Sequence, residues 1–169
     1  MSGYPLANFE IGIKLDQTPQ DIMFSLKLSC KDKGCLNANI QGSILSELFL
    51  NIFNREKNIN GYKVKAVLRE KHNAATHDGR GLSYLNSKLE GGIHALICIL
   101  FSHVLGMEVM KSSDYIVLES SLEEVQEFYN RLGFEKISDN KLITKVSDLL
   151  SRCQTGQMSA ELMEIVESL

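Results

Sequence analysis

A pair of glycines, Gly91 and Gly92, stands directly before an apolar segment that runs from Ile93 to Leu105. Because this segment is apolar on nearly all sides, it predicts a helix that is covered over most of its surface. The first amides of a helix have no partner within it. Beside glycines, such amides bind a phosphate or pyrophosphate without a basic side chain. Residues 91–94 are therefore a candidate anion site.

The sequence contains only a weak indication of a metal site. His72, His77 and Asp78 lie in a polar, glycine-containing stretch, but their spacing is irregular and no set of cysteine or histidine partners accompanies them. We interpret this stretch as a solvated loop and expect no metal site. The four cysteines are scattered without a C-x-x-C pair, and Cys98 falls inside the apolar helix, where we expect a small core hydrophobe.

The elements around the glycine pair alternate between strand and helix. In chain order, we predict a strand at 82–88, the helix at 93–105, a strand at 115–119 and a helix at 121–132. The last of these has start and stop signals. Ser121 and Glu124 match a capping box. Gly133 permits the left-handed turn that ends the helix, and Phe134 can pack back on it.

The rest of the chain is predicted to be mostly strands. Period-two alternation predicts strands at 9–15, 24–30 and 62–69, and a weaker extended segment is predicted at 35–41. The segments 134–137 and 142–146 flank a polar turn and predict a closing hairpin. Short connections predict that the first three strands form an antiparallel meander. From Ser43, the apolar spacing becomes helical and predicts a helix that ends near Arg55. A further helical pattern covers 157–169, which packs on the domain or on a partner.

Charge and hydropathy limit the function classes. The 18 basic and 21 acidic residues give a net charge of −3, which disfavours a nucleic-acid partner because such proteins need a concentrated basic face. No basic segment followed by an apolar run begins the chain. The longest apolar segment is shorter than the roughly 20 residues that a membrane span needs. We therefore expect a cytoplasmic protein without a membrane partner, where a disulfide between Cys30 and Cys35 is disfavoured.

Two of these motifs resemble the GNAT superfamily of acyl-CoA-dependent N-acetyltransferases. Residues 127–134, EFYNRLGF, look like the C-terminal signature of the family, in which a helix carries a tyrosine and ends in (K/R)-L-G-F. Residues 92–97, GIHALI, resemble its pyrophosphate-binding segment, which is also followed by a helix. The resemblance covers roughly residues 82 to 146. Its specificity comes from the order and spacing of the motifs, with a buried strand between the two helices.

The resemblance implies an α+β fold of the α/β/α type. A mixed, mostly antiparallel central sheet would carry helices on both faces, with a V-shaped splay between two parallel central strands. Those strands would be 82–88 and 114–119, and acyl-CoA would lie in the gap between them. The implied domain covers 1–150, and 151–169 would form a helical tail that is part of it or packed on it.

The implied reaction is direct attack of an amine on acetyl-CoA, with no metal. The acceptor is a small molecule, a peptide or a protein, and a homodimer is left open. Tyr129 would donate a proton to the departing thiolate, and Glu119, at the end of its strand, is the candidate base. Residues implied to bind the cofactor lie at the glycine turn and on the second parallel strand: Gly91, Gly92, Ile93, His94, Ala95 and Leu118.

Two alternatives to an enzyme remain. The first is a non-catalytic adaptor or regulatory module of the GNAT fold that has lost cofactor binding. It is favoured because Leu89 and His94 stand where the family has a glutamine or arginine and a second glycine, and because Glu90 adds negative charge near an anion site. The second is an unrelated α+β domain, which would be indicated if 82–88 and 114–119 were not neighbours in the sheet.

Overall fold

The structure, a computed structural model, describes residues 9–30, 44–72 and 92–153, which contain seven strands and three helices. The strands are β1 (Phe9–Gln17), β2 (Asp21–Cys30), β3 (Ile44–Ile59), β4 (Tyr62–His72), β5 (Tyr115–Glu119), β6 (Glu135–Ser138) and β7 (Lys141–Lys145). The helices are α1 (Gly92–Gly106), α2 (Glu123–Arg131) and α3 (Val146–Cys153). None of these helices is long and apolar enough to cross a membrane.

All seven strands belong to one sheet, in the order β1-β2-β3-β4-β5-β7-β6. Every neighbouring pair is antiparallel except β4 and β5, which run parallel. A parallel pair needs a long crossover connection, and α1 lies in the stretch between these two strands. The predicted α+β class with a mixed, mostly antiparallel sheet is confirmed.

The predicted pairing of segment 82–88 with the strand at 114–119 is wrong. The two neighbours of β5 are β4 on one edge and β7 on the other, so no edge of β5 is left for another strand. Residues 82–88 themselves lie outside the described part of the chain. The parallel neighbour of β5 is instead β4, the strand that precedes this segment.

The helix predicted from Ser43 is also wrong, because residues 44–59 form β3. A spacing of four residues fits one helical turn, but it also equals two pleats of a strand. Leu48 and Ile52 accordingly face one core cluster, whereas Phe53 belongs to the cluster on the other side of the sheet. With hydrogen-bonded neighbours on both edges, β3 buries apolar residues on two faces, and this imitates a helical pattern.

The first two strands follow the prediction. β1 and β2 pair antiparallel in one continuous register from Phe9 opposite Cys30 to Gln17 opposite Ile22. The third strand predicted for this meander, 35–41, lies outside the described residues, and the strand beside β2 is β3. The strand predicted at 62–69 is confirmed as β4.

The main core lies on one face of the sheet. Helix α1 is buried along nearly its whole length, as its apolar surface predicts, and Cys98 is a buried residue within it. Buried residues of α2 and α3, such as Tyr129 and Leu149, belong to the same cluster as Leu68 and Leu118 of the parallel strands. The prediction also placed helices on the opposite face, but none of the three described helices contributes to the smaller cluster there.

The end of α2 is as predicted, and its start is not. The N-cap residue is Leu122, without a side-chain cap, so the capping box of Ser121 and Glu124 does not form. At the other end, Gly133 takes a φ of +94° and the amide of Phe134 donates to the carbonyl of Tyr129 at 3.1 Å. This is the left-handed stop that Leu-Gly-Phe predicts.

The described residues end with the predicted hairpin, β6 and β7, and with a helix that was not predicted. Helix α3 buries Val146 and Leu149 against the core. It spans residue 150, where we had placed the end of the domain. The helix predicted at 157–169 lies outside the described residues.

Candidate functional site

The only parallel strand pair among the described strands brings several polar side chains together at its carboxyl end. Strands β4 and β5 pair through Leu68 and Leu118. Beyond that point β4 continues to His72, and β5 ends at Glu119. Successive side chains of a strand point to opposite faces, so the next two residues of β4, Arg69 and Glu70, serve different faces of the sheet.

Tyr129 lies on the helical face of this strand pair. Its side chain is fully buried, with 0% exposure, and it packs edge-on against the rings of Phe128 and Phe134 at centroid distances of 5.3 and 5.1 Å. Its hydroxyl donates a hydrogen bond to the Oε2 atom of Glu70. Helix α2 and strand β4 therefore hold a phenol and a carboxylate in direct contact.

Glu119, the base candidate from the sequence, is not beside Tyr129. Its Oε1 atom accepts from the Nε of Arg69 at 2.9 Å in a partly exposed ion pair, with side-chain exposures of 30% for the glutamate and 47% for the arginine. Glu119 follows Leu118, which faces the helices, and so it projects toward the opposite face of the sheet. The carboxylate that meets the tyrosine is Glu70.

Glu70 was not among the predicted site residues, although the sequence contains one signal for it. Ala66 and Leu68 are buried against the helical core, and Glu70 continues their period-two series on the same face. A carboxylate at an apolar-face position requires a polar partner inside the fold. That partner is the phenol of Tyr129, which is 59 residues away in the chain.

The glycine turn is partly described. Gly91 lies outside the described residues, and Gly92 is the first residue of α1. The side chains of Ile93 and Ala95 are buried in the core, so backbone amides are the groups that this turn can offer to a ligand. Leu118 is also buried, and β4 and β7 flank its strand on both sides.

His94 packs between the first turn of α1 and the helix α2. Its ring stacks on that of Phe128 with centroids 5.2 Å apart and an interplanar angle of 28°. Burial lowers the pKa of His94 below its ordinary value, and the positive charge of Arg131 lowers it further. A neutral imidazole and a nearby guanidinium thus stand beside the amino end of α1.

The stability of the protein is expected to fall on acidification through His94. The unfolded chain binds a proton at the ordinary pKa of about 6.5, whereas the folded chain binds it at lower pH. As the pH falls, the unfolded state therefore binds a proton at His94 before the folded state does. The free energy of unfolding decreases as the pH drops from about 6.5 through the lower pKa of the folded state. In urea unfolding at about pH 5 to 8, His94→Phe should retain the stacking and show a flatter profile than the parent. An unchanged slope would contradict the assignment.

A separate open concavity of about 400 Å³ lies on the outer side of α2. It is lined by Glu123, Gln126, Glu127, Asn130, Arg131, Lys136 and Leu142. Neither Tyr129 nor Glu70 lines it, so it is distinct from the buried phenol–carboxylate pair. No group of three or more potential metal ligands occurs within the described segments.

Comparisons with known proteins do not assign a function to the chain. No protein-family model, no curated protein and no solved structure matches the chain.

Proposed function

We propose that the protein is an acyl-CoA-dependent N-acyltransferase that moves an acetyl group to an amine. The observation that carries this proposal is the contact between Tyr129 and Glu70 at the carboxyl end of the parallel pair β4 and β5. The tyrosine lies on the helix that ends in Leu-Gly-Phe, as the resemblance to the GNAT superfamily implies. The same resemblance places the acyl thioester at the splay of two parallel strands.

Strand β4 is the parallel neighbour of β5, the position predicted for 82–88. A strand at 114–119 without 82–88 beside it was the expected mark of an unrelated α+β domain, and both edges of β5 are occupied by β4 and β7. A parallel pair nevertheless exists one strand earlier in the chain, followed by α1 and then by β5. The proposal therefore rests on β4 and β5 as the two strands that would flank the thioester.

The phenol–carboxylate pair suits the proton balance of this reaction. The amine nitrogen forms a bond to the acyl carbon while the carbon–sulfur bond breaks. Glu70 would accept the proton that the amine loses, and Tyr129 would donate one to the departing thiolate. Transfer of the proton from Glu70 to Tyr129 across their hydrogen bond would then restore both residues, so no outside acid or base is required.

The amino end of α1 supplies a second element of the proposal. The backbone amides of its first turn, at residues 92–94, would bind the pyrophosphate of acyl-CoA. Arg131 is close enough to influence the titration of His94 in this turn, and its charge would favour an anion there. Binding would then use backbone amides and one guanidinium, and the buried side chains of Ile93 and Ala95 would support the turn from below.

Titration with acetyl-CoA tests the proposal directly. A ligand that binds the folded state at about 100 times its dissociation constant stabilises it by about 2.7 kcal/mol. For a domain of this size, that corresponds to a rise of roughly 5–10 °C in melting temperature. Calorimetry should give a single site, and adenosine alone, which lacks the pyrophosphate and the thioester, is the control. No shift at millimolar acetyl-CoA would reject the proposal.

One observation favours the second candidate, a non-catalytic module of the same fold. The Arg69–Glu119 ion pair joins β4 to β5 directly after their last paired residues, where a cofactor would have to enter. Tyr129 is also fully buried. A contact that joins the two strands at this point favours a protein that has lost cofactor binding. The acetyl-CoA titration distinguishes the two candidates, since the module predicts no binding.

A further inference from the structure

Strand β1 is one edge of the sheet, and its outer side has no partner among the described strands. It is nine residues long, contains no proline and pairs with β2 without any register shift. A straight edge strand presents unpaired N–H and C=O groups and is a ready template for another strand. The outer edge of β1 can therefore accept a further strand.

The sequence of β1 is complementary to itself in the antiparallel direction. Glu10 and Lys14 lie at equal distances on either side of Gly12, and Ile11 and Ile13 do the same. We propose that β1 pairs with β1 of a second copy of this chain, antiparallel, with Gly12 on the two-fold axis. Each Glu10 would then lie opposite Lys14 of the second copy, and each Ile11 opposite Ile13.

Within the described residues, neither of the two charges that this pairing would satisfy has an opposite charge directly across β2, although Lys27 lies opposite Gly12. Glu10 is opposite Ser29, and Lys14 is opposite Ser25. Lys14 approaches Asp16 of its own strand at 3.9 Å, but both side chains are more than 60% exposed, at 71% and 64%. Such a pair contributes little. In the dimer, two symmetry-related Glu10–Lys14 pairs would form directly across the new strand contact.

The apolar face of β1 also continues into the proposed contact. Ile11 and Ile13 are partly buried at the margin of the main core, and Leu15 is 39% exposed. Pairing about Gly12 would place these side chains beside their counterparts on the same face of a joined sheet. Gly12 suits the axis because it carries no side chain, so the two copies of this residue can approach closely in either hydrogen-bonding arrangement.

The proposed register holds whether the even-numbered or the odd-numbered residues of β1 direct their backbone N–H and C=O groups away from β2. If Gly12 does so, the two copies of Gly12 form a hydrogen-bonded pair. If Ile11 and Ile13 do so, the hydrogen-bonded pairs lie on either side of the axis. In both cases Glu10 is opposite Lys14. The inference concerns an edge far from the Tyr129–Glu70 contact in the strand order, and it is independent of the proposed enzymatic function.

Sedimentation equilibrium of the full chain tests the pairing. The parent should reach twice the mass of one 18.9 kDa chain as its concentration rises. Either Glu10→Lys or Lys14→Glu should weaken dimerisation by about tenfold, because two symmetric pairs change from attraction to repulsion. The double variant exchanges the charges and should return to within about threefold of the parent.

The double variant is the decisive control. Within one chain, residues 10 and 14 are opposite different serines and cannot compensate for one another, so recovery requires contact between copies. Melting curves of all three variants establish that each is folded. A parent that stays monomeric, a dimer that the single variants leave unchanged, or a double variant that stays weak would each overturn the pairing.

Discussion

Replacing Tyr129 with phenylalanine is expected to slow acyl transfer by about 10²- to 10⁴-fold while leaving acetyl-CoA affinity nearly unchanged. The phenol is the group that would protonate the departing thiolate, and its loss also breaks the proton path to Glu70. The ring itself remains packed between Phe128 and Phe134. Rates are measured as release of the CoA thiol in the presence of a panel of amines, and affinity by calorimetry.

The matched control is Tyr115→Phe, which removes a hydroxyl from a tyrosine in the smaller cluster on the opposite face of the sheet. It should transfer at the parent rate. Glu70→Gln keeps a hydrogen-bond acceptor for the phenol but removes the base, and it should also be slow. Loss of the Tyr129 hydroxyl costs about 1–3 kcal/mol of stability because it leaves a partly buried carboxylate short of a donor. A Tyr129→Phe variant that is folded and fully active would exclude this tyrosine as the acid.

Replacing Phe134 with alanine is expected to destabilise the protein by about 3–5 kcal/mol. Its ring is buried, contacts Tyr129 edge-on at 5.1 Å and follows the glycine that ends α2. Removing it leaves a cavity beneath both the helix stop and the phenol. In a domain of this size the melting temperature should fall by roughly 6–20 °C. Urea unfolding monitored by circular dichroism measures the free energy directly.

The control for this prediction is Leu122→Ala at the other end of the same helix. Leu122 is 64% exposed, so its truncation should change the free energy of unfolding by less than about 0.5 kcal/mol. If both variants had the same small effect, Phe134 would not be part of the core that positions Tyr129. A large effect at Leu122 alone would indicate that this exposed leucine is covered by another surface.

Local signals predicted those parts of the fold that depend on neighbours in sequence. The all-round apolar surface of α1 predicted its burial, and Gly133 followed by Phe134 predicted the left-handed stop of α2. The capping box failed because helix α2 begins at Glu123, after Leu122, and the Oγ of Ser120 accepts the amide of Leu122 at 3.2 Å instead. Competition of this kind, among several short polar side chains near one helix start, is not resolved by spacing alone.

Segment 44–59 shows where periodicity is ambiguous. A spacing of four residues places side chains on one side of a helix and also on one face of a strand. A central strand that is apolar on both faces therefore resembles a helix in its apolar spacing. The choice between them was made by hydrogen bonding to β2 on one edge and β4 on the other, which no periodicity within the segment specifies. The same long-range pairing made β4, and not 82–88, the parallel neighbour of β5.

By itself, the sequence determined that a buried helix follows the glycine pair and that a tyrosine-bearing helix ends at Leu-Gly-Phe. These features depend on side-chain periodicity and on the φ angle of one glycine, both of which are local. Only the tertiary structure decided which carboxylate meets Tyr129. Glu119 is ten residues away in sequence but turns to the other face, whereas Glu70, 59 residues away, lies on the face that α2 covers. The alternation of side chains along β4 is a local pattern, but the strand order that brings β4 and α2 together is encoded by no local spacing, and both were needed for that contact.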